Sequence, residues 1–392
     1  MTKITGAPSQ DIPCVPYFHD IVGHEELISR LRSYVEEEDL PHALLFIGDE
    51  GSETLPITLA FARYLYCEAP VDGDSCGKCR SCLQLDELSN PDFYPVVPIV
   101  KASGDKPTLT IDFMDSLRSL LRTSRRPRME DWTAQLNTGN KQLSIYKDES
   151  DSIAHFLSLK TYQSEHKVVW VWAPEKMNAA SANKLLKILE EPPVGVCFLM
   201  VTAAPQELLP TILSRLQRIR VKPIDDTDMQ IYLAENYALN PLKRDEITHR
   251  AMGNIRMAEQ LLSEEEGGES DVLMDLAVRI LTSTAHKDLK SMRQLSDEVH
   301  ALSRQEVLDL LERISHVVRE SMALQIDPRL SYVDPRLVDP LSSLSPGLSS
   351  RSLTTILELI DKAQEEVRRN VSVKMIFFDV MLSLSDLLVI TR

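Results

Sequence analysis

The 392-residue chain is 43% hydrophobic and 26% charged, enough to bury ordinary cores in two or three domains. Its 43 Lys and Arg against 59 Asp and Glu leave a net charge of −16. That balance argues against a protein gripping duplex DNA alone, which needs a broad basic surface. There is no long apolar run, and MTKITGAPSQ at the N-terminus lacks a charged-then-apolar leader pattern. The expectation is a cytoplasmic chain without a membrane segment, whose six cysteines are metal ligands or buried thiols rather than disulfides.

In chain order, Glu25 to Val35 has helical periodicity, and HALLFIG (42–48) is a short apolar run ending in Gly. A second helix is predicted over about 55–66, then a cysteine-rich segment (67–82) and a buried strand within NPDFYPVVPIV (90–100). Residues 101–150 read as a polar, irregular insertion with one short helix around Asp112–Arg122. In it, Arg118, Arg122, Arg125, Arg126 and Arg128 form a basic run, read as solvated and mobile, with DNA or an acidic partner as the alternative.

The pattern resumes with a helix over about 150–161, the strand KVVWVWA (167–173) and the helix NAASANKLLKILEE (178–191). The run VCFLMVTA (196–203) and the helix and strand of LLPTILSRLQRIRVKPI follow. Strands alternating with helices predict parallel α/β layering. From Asp225 onward the sequence is helical, with a break at SEEEGGESD (263–271) and a Pro/Ser-rich loop at 327–350. A final helix pair fills 351–391, its apolar residues forming helix core and only its outer face free for assembly.

Cys67, Cys76, Cys79 and Cys82 make the pattern C-x8-C-x2-C-x2-C, with Gly73 and Gly77 available for tight turns. Two C-x2-C steps converge neighbouring thiolates on one tetrahedral ion, and the longer loop delivers the fourth. Four thiolates leave no open position, so the expected ion is structural Zn2+; four unrelated reduced thiols are the alternative. Cys197, in an apolar run, is expected to be buried filler.

Gly48 to Leu55 (GDEGSETL) lies between a strand and a helix, where a phosphate-binding loop G-x-x-x-x-G-K-[ST] belongs. Aligned on Gly48, the second glycine is Glu53, the lysine is Thr54 and the hydroxyl residue is Leu55; Gly51 falls within the loop. A carboxylate would face the phosphates and Mg2+ would lose its ligand, so no nucleotide is expected at Gly48, Gly51 and Thr54.

FHDIVGHEELISRL, PHALLFIGDEG, the four cysteines, KVVWVWAPEKMNAASANKLLKILEEPP and LLPTILSRLQRIR occur in that order. Together they resemble the AAA+ module of bacterial DNA polymerase III clamp-loader subunits, over roughly residues 18–260. The delta-prime subunits are the members of that group that often lack an intact phosphate loop. The resemblance implies an α/β AAA+ domain (1–222) with a parallel sheet, a zinc module (67–82) and the insertion. It further implies a small helical lid (223–266) and an all-helical collar domain (267–392) for oligomerisation. Trp172 and Ala173 stand where the family has its Asp-Glu pair, while Thr202 and Arg256 take the two sensor positions. Ser214-Arg215-Leu216 matches the family's Ser-Arg-Cys motif, implying that Arg215 is an arginine finger for an adjacent subunit's ATP; a surface arginine is the alternative. The implied role is a non-catalytic clamp-loader subunit acting with gamma/tau motor subunits, the delta subunit, the sliding clamp and primed DNA, with ATP bound by partners. An active motor subunit and a zinc-containing DNA-binding module are the alternatives.

Overall fold

The computed structural model describes residues 12–101, 108–137, 142–266, 272–326, 349–369 and 371–388. The expected loop at 327–350 lies almost wholly outside these residues, as does most of the expected break at 263–271. By its internal contacts the chain divides into two compact units, Met1–Gln260 and Leu261–Arg392.

The first unit is built on β1 (Ala43–Ile47), β2 (Phe93–Val96), β3 (Lys167–Trp172), β4 (Val196–Thr202) and β5 (Gln217–Arg220). These form one parallel sheet in the order β2-β3-β4-β1-β5, as the alternation of strands and helices predicts. All six residues of KVVWVW in β3 are buried, because both sheet faces are covered. Val168, Trp170 and Trp172 point into one apolar cluster and Val169 and Val171 into another, the period-two alternation of a strand.

The first cluster is closed by α1 (Glu25–Glu36) and α2 (Thr54–Tyr66), the second by α6 (Lys147–Ser158), α7 (Ala179–Glu190) and α8 (Pro210–Leu213). Helix α2 is buried almost all round, so it reads as apolar rather than amphipathic. Pro56 fits in its first turn, where backbone N–H groups have no intrahelical acceptor. Trp170 Nε1 donates to Thr58 Oγ1 at 2.9 Å, so the one polar atom of that buried indole is satisfied against α2. Asn178 caps α7 by accepting from Ser181 N at 2.8 Å, and Ala182, Leu185 and Leu189 face the sheet at helical spacing.

The insertion departs from its expected irregularity. Between α3 (Arg80–Asp86) and α6 it forms α4 (Met114–Thr123) and α5 (Met129–Gln135). Met114, Leu117, Leu120 and Leu121 recur at helical spacing and join the first apolar cluster. Trp132 of α5 is fully buried and donates to Pro98 O at 2.7 Å. Three further helices, α9 (Asp226–Asn236), α10 (Pro241–Ala251) and α11 (Ile255–Glu266), follow the sheet.

The second unit is helical: α12 (Val272–Ala285), α13 (Leu289–His300), α14 (Arg304–Ile326), α15 (Ser350–Arg368) and α16 (Val373–Leu387). Val307, Leu310, Leu311, Ile314, Val317 and Val318 form the core stripe of α14, which packs on α12 and α15; Ile376, Phe377, Val380, Met381 and Leu384 bring α16 into the same cluster against α12, α13 and α15. Met375, Phe378 and Leu382 lie on the outer face of α16 and stay exposed in the single chain. No described helix is long and apolar enough to cross a membrane.

Candidate functional site

Helix α2 has a functional region at each end. At its C-terminus, Cys67 is the capping residue, while Cys79 caps α3 and Cys82 lies in the first turn of α3. The Sγ atoms of Cys67, Cys76, Cys79 and Cys82 all lie within 4.8 Å of one another, and none of the four is in a disulfide. A tetrahedral Zn–S distance of about 2.3 Å requires sulfur separations of roughly 3.8 Å, so the set fits a four-coordinate ion. Gly77 adopts φ +67° at the turn between Cys76 and Cys79, and a Cβ there would lie 2.2 Å from the Tyr17 hydroxyl.

Backbone donors are aimed at the sulfurs. Cys76 N donates to Cys67 Sγ at 3.1 Å, Cys79 N to Cys76 Sγ at 3.3 Å and Cys82 N to Cys79 Sγ at 3.4 Å. The N–H groups of Lys78 and Cys79 hold the Cys76 thiol down at about 6, whereas burial pushes the Cys67 and Cys82 thiols up. A bound cation would favour the thiolate at all four. The loop between Cys67 and Cys76 is fixed by Asp74, whose carboxylate accepts from Phe18 N at 3.2 Å and His19 N at 3.0 Å. Cys197 is buried in β4, and Cys14, also buried, directs its thiol at Arg118 O.

At the N-terminus of α2, Gly48 to Thr54 connects β1 to the helix. Gly51 has φ +77°, and a Cβ on it would lie 2.7 Å from Arg256 Cβ, so only glycine fits beneath α11. Glu53 is almost fully buried, and its Oε1 accepts from Val22 N at 3.1 Å and from Arg126 Nε and Nη2 at 3.1 and 2.6 Å. Thr54 Oγ1 lies 2.7 Å from Ser52 Oγ, and Leu55 is buried in the core. Trp172 is buried, and Ala173 adopts φ +56° just before Pro174.

That left-handed residue turns the chain so that half-buried Glu175 accepts from Thr202 Oγ1 at 2.8 Å. Burial pushes the Glu175 carboxyl up to about 7. The cavity bounded by Gly48, Gly51, Thr54, Pro127, Trp172, Glu175 and Thr202 has a volume of about 20 Å³. Ligand clefts are typically about 300–1,000 Å³, whereas a single water needs some 10–15 Å³.

Four of the five arginines of the run are paired rather than freely solvated. Arg118 pairs with Asp115 at 2.7 Å, Arg122 with Glu87 at 2.5 Å and Arg125 with Asp20 at 2.5 Å, while Arg126 is buried against Glu53. These four have acidic partners, as a buried guanidinium requires, while Arg128 gives its backbone N–H to Asp131 Oδ2 at 2.8 Å. Arg256, at the second sensor position, donates its backbone N–H to Gly51 O at 3.3 Å and sets its guanidinium 3.4 Å from Asp131.

Arg215 follows α8 and is about one-third exposed, with Nη1 donating to Thr211 O at 2.7 Å and Nη2 to Glu190 Oε1 at 2.6 Å. Thr211, Ser214 and Glu190, which hold it, all lie outside the chain's own phosphate-loop region. The sequence marks Arg126 only as one member of a basic run and does not mark Glu175 at all. Glu53 was visible only as a missing glycine.

Residues 23–225, just over half of the chain, match the family described as DNA polymerase III, delta subunit. The delta' subunit of Bacillus subtilis DNA polymerase III is 23% identical over 91% of this chain and 94% of its own length. The tau/gamma subunit of Haemophilus influenzae is 28% identical over 61% of this chain. Of that protein and the Salmonella and Bacillus tau subunits, this chain spans 29%, 48% and 58% of the length. A gamma subunit-related protein from Thermotoga maritima aligns over 92% of this chain at 16% identity with a TM-score of 0.39, too loose a likeness to bear weight. With the family match spanning all five strands and both ends of α2, the chain belongs to the DNA polymerase III delta subunit family.

Proposed function

We propose that the chain is a clamp-loader subunit of the delta-prime kind, which hydrolyses no ATP itself and serves an assembly in the cytoplasm. Its partners would be the gamma/tau motor subunits and the delta subunit, and through them the sliding clamp and primed DNA. The single observation that carries this is Glu53, buried against Arg126 where a phosphate-binding loop has a glycine next to its lysine. A carboxylate in that position repels phosphate, and the flanking Thr54 and Leu55 offer neither the ammonium nor the metal-binding hydroxyl. Trp172 and Ala173 offer no carboxylate for Mg2+.

In this reading Cys67, Cys76, Cys79 and Cys82 hold one structural Zn2+, and Arg215 acts in trans. A guanidinium offsets charge on a transferring γ-phosphate and presents a planar fork that an ammonium lacks. Arg215 has to leave Glu190 to reach a neighbour. An exposed ion pair of this kind contributes only about 0–1 kcal/mol, a small barrier to exchange for a phosphate. The exposed Met375, Phe378 and Leu382 supply an apolar face on α16 for collar assembly.

The test is reconstitution with motor and delta subunits. Arg215→Ala is expected to leave fold and metal content unchanged but to slow ATP turnover at the adjoining motor site, where a trans arginine contributes on the order of 10³–10⁵. The whole complex should lose less, and Arg215→Lys should rescue poorly. Wild-type turnover and clamp loading by an Arg215→Ala complex would leave the subunit a scaffold without a finger.

A further inference from the structure

We propose that the insertion is an internal clasp: Arg126 occupies the phosphate-loop region and ties helices α9 and α11 to the parallel sheet. This stands apart from the assignment above, since it concerns only how the first unit holds itself together.

Glu53 belongs to the loop that leaves strand β1, and it already accepts from Val22 N ahead of α1. Arg126 reaches it from the stretch between α4 and α5, 73 residues away, making contacts of 3.1 and 2.6 Å with one carboxylate oxygen. The far side of the same guanidinium meets the helices after the sheet. Arg126 Nη1 lies 3.6 Å from Glu259 Oε1 on α11, and its Cζ lies 5.6 Å from the Tyr232 ring centroid on α9. Tyr232 donates its hydroxyl proton to that Glu259 oxygen at 2.8 Å. One cation, 5% exposed, is thus shared by the sheet's loop and two later helices.

Four smaller contacts follow the same route. Met129 N donates to Glu50 Oε2 at 3.2 Å, and Asn254 Nδ2 donates to Glu50 O at 2.9 Å. Arg256 N donates to Gly51 O at 3.3 Å, and Arg256 Nη2 lies 3.4 Å from Asp131 of α5. Loop, insertion and α11 therefore meet in pairs on all three sides. A ligand held between a loop and later helices would join them in the same way; here the join is made by side chains of the chain itself. The position of α9–α11 on the sheet then needs no ligand to define it.

The experiment is hydrogen exchange read by mass spectrometry on the full, metal-loaded chain. Glu53→Gln/Arg126→Met removes both charges with similar volume. It is expected to speed exchange in peptides from 226–260 by about tenfold or more, leaving β3, β4 and α12–α16 unchanged. Glu50→Ala/Arg256→Met removes two exposed or partly exposed side-chain contacts without touching a helix cap and is expected to give a smaller rise, about threefold, in the same peptides. Unchanged exchange over 226–260 in either folded variant overturns the clasp. So does a uniform rise across the whole first unit, which would make the pair a general stabiliser. If the first pair fails to fold, the second decides alone.

Discussion

The two ends of helix α2 have been put to opposite uses. At the C-terminal end, Cys67, Cys76, Cys79 and Cys82 converge within a short stretch of chain, and Lys78, Cys79 and Cys82 N–H groups point at sulfur. At the N-terminal end, a loop in the strand-to-helix position of a phosphate loop instead encloses its own Glu53–Arg126 pair and a cavity of about 20 Å³. The first end could hold an ion from outside. The second is filled by charges of the chain itself, so a strand–loop–helix shape alone says nothing about a ligand; the charges placed in it decide.

The largest expected effect breaks the C-terminal end. Cys79→Ser removes one of four ligands and the sulfur that accepts from Cys82 N. Loss of the stoichiometric metal is expected, measured by elemental analysis. The Cys67–Cys76 loop should then loosen with the segment it holds through Asp74, seen as faster proteolysis near Phe18. Binding energies for structural zinc in small modules are about 10–16 kcal/mol, so the local consequence should exceed that of any other single substitution proposed here. Full metal content in a variant lacking all four cysteines would refute the assignment.

The N-terminal end should give way next. Arg126→Met leaves the Glu53 carboxylate buried without its cation, which costs about 3–5 kcal/mol. Glu53→Gln/Arg126→Met leaves no charge at either end of the buried pair, while partly exposed Glu259 keeps Arg256 at 4.0 Å; it should recover much of that loss, because a buried pair is stabilising mainly relative to its broken half. Urea unfolding of wild type, both single variants and the double variant gives the coupling directly. Additive losses would show that the two side chains are independent.

What could be read beforehand follows the same division. The cysteines announce themselves because their spacing is local, and β3 and β4 because an unbroken apolar run fits a strand covered on both faces. The core stripe of α4 lies at helical spacing, within the short helix expected around Asp112–Arg122. Helix α5 carries only Trp132 as a buried anchor, which no periodicity can reveal, so the stretch around it read as irregular. Arg126 looked like one of several surface cations because its partner lies 73 positions away, and pairing at that range is a product of the fold. Glu175 lies just beyond Trp172 and Ala173, where the family's acidic pair would stand, and nothing in the sequence marks it. The left-handed turn at Ala173, invisible in the sequence, is what brings its carboxyl to Thr202.

Glu175 also supplies the smallest of these effects, and the one that tests how closed the N-terminal end is. Burial raises its carboxyl from an ordinary 4.5 to about 7, against partial opposition from the Thr202 hydrogen bond and from Lys176, while Glu207 adds to the rise. The folded state therefore keeps a proton that the unfolded chain has already released between pH 4.5 and 7. Stability from this group is complete below the unfolded value and is lost as pH rises through the folded one. Glu175→Gln keeps a hydrogen-bonding side chain of the same shape but cannot ionise. It should match wild type near pH 5 and exceed it near pH 8 by about 1–2 kcal/mol, the low figure reflecting a side chain only half-buried. Urea unfolding at the two pH values measures the difference. A gap that is the same at both would mean that Glu175 is solvated as a carboxylate in the folded chain, and that water reaches the cavity behind Thr202 more freely than its small volume implies.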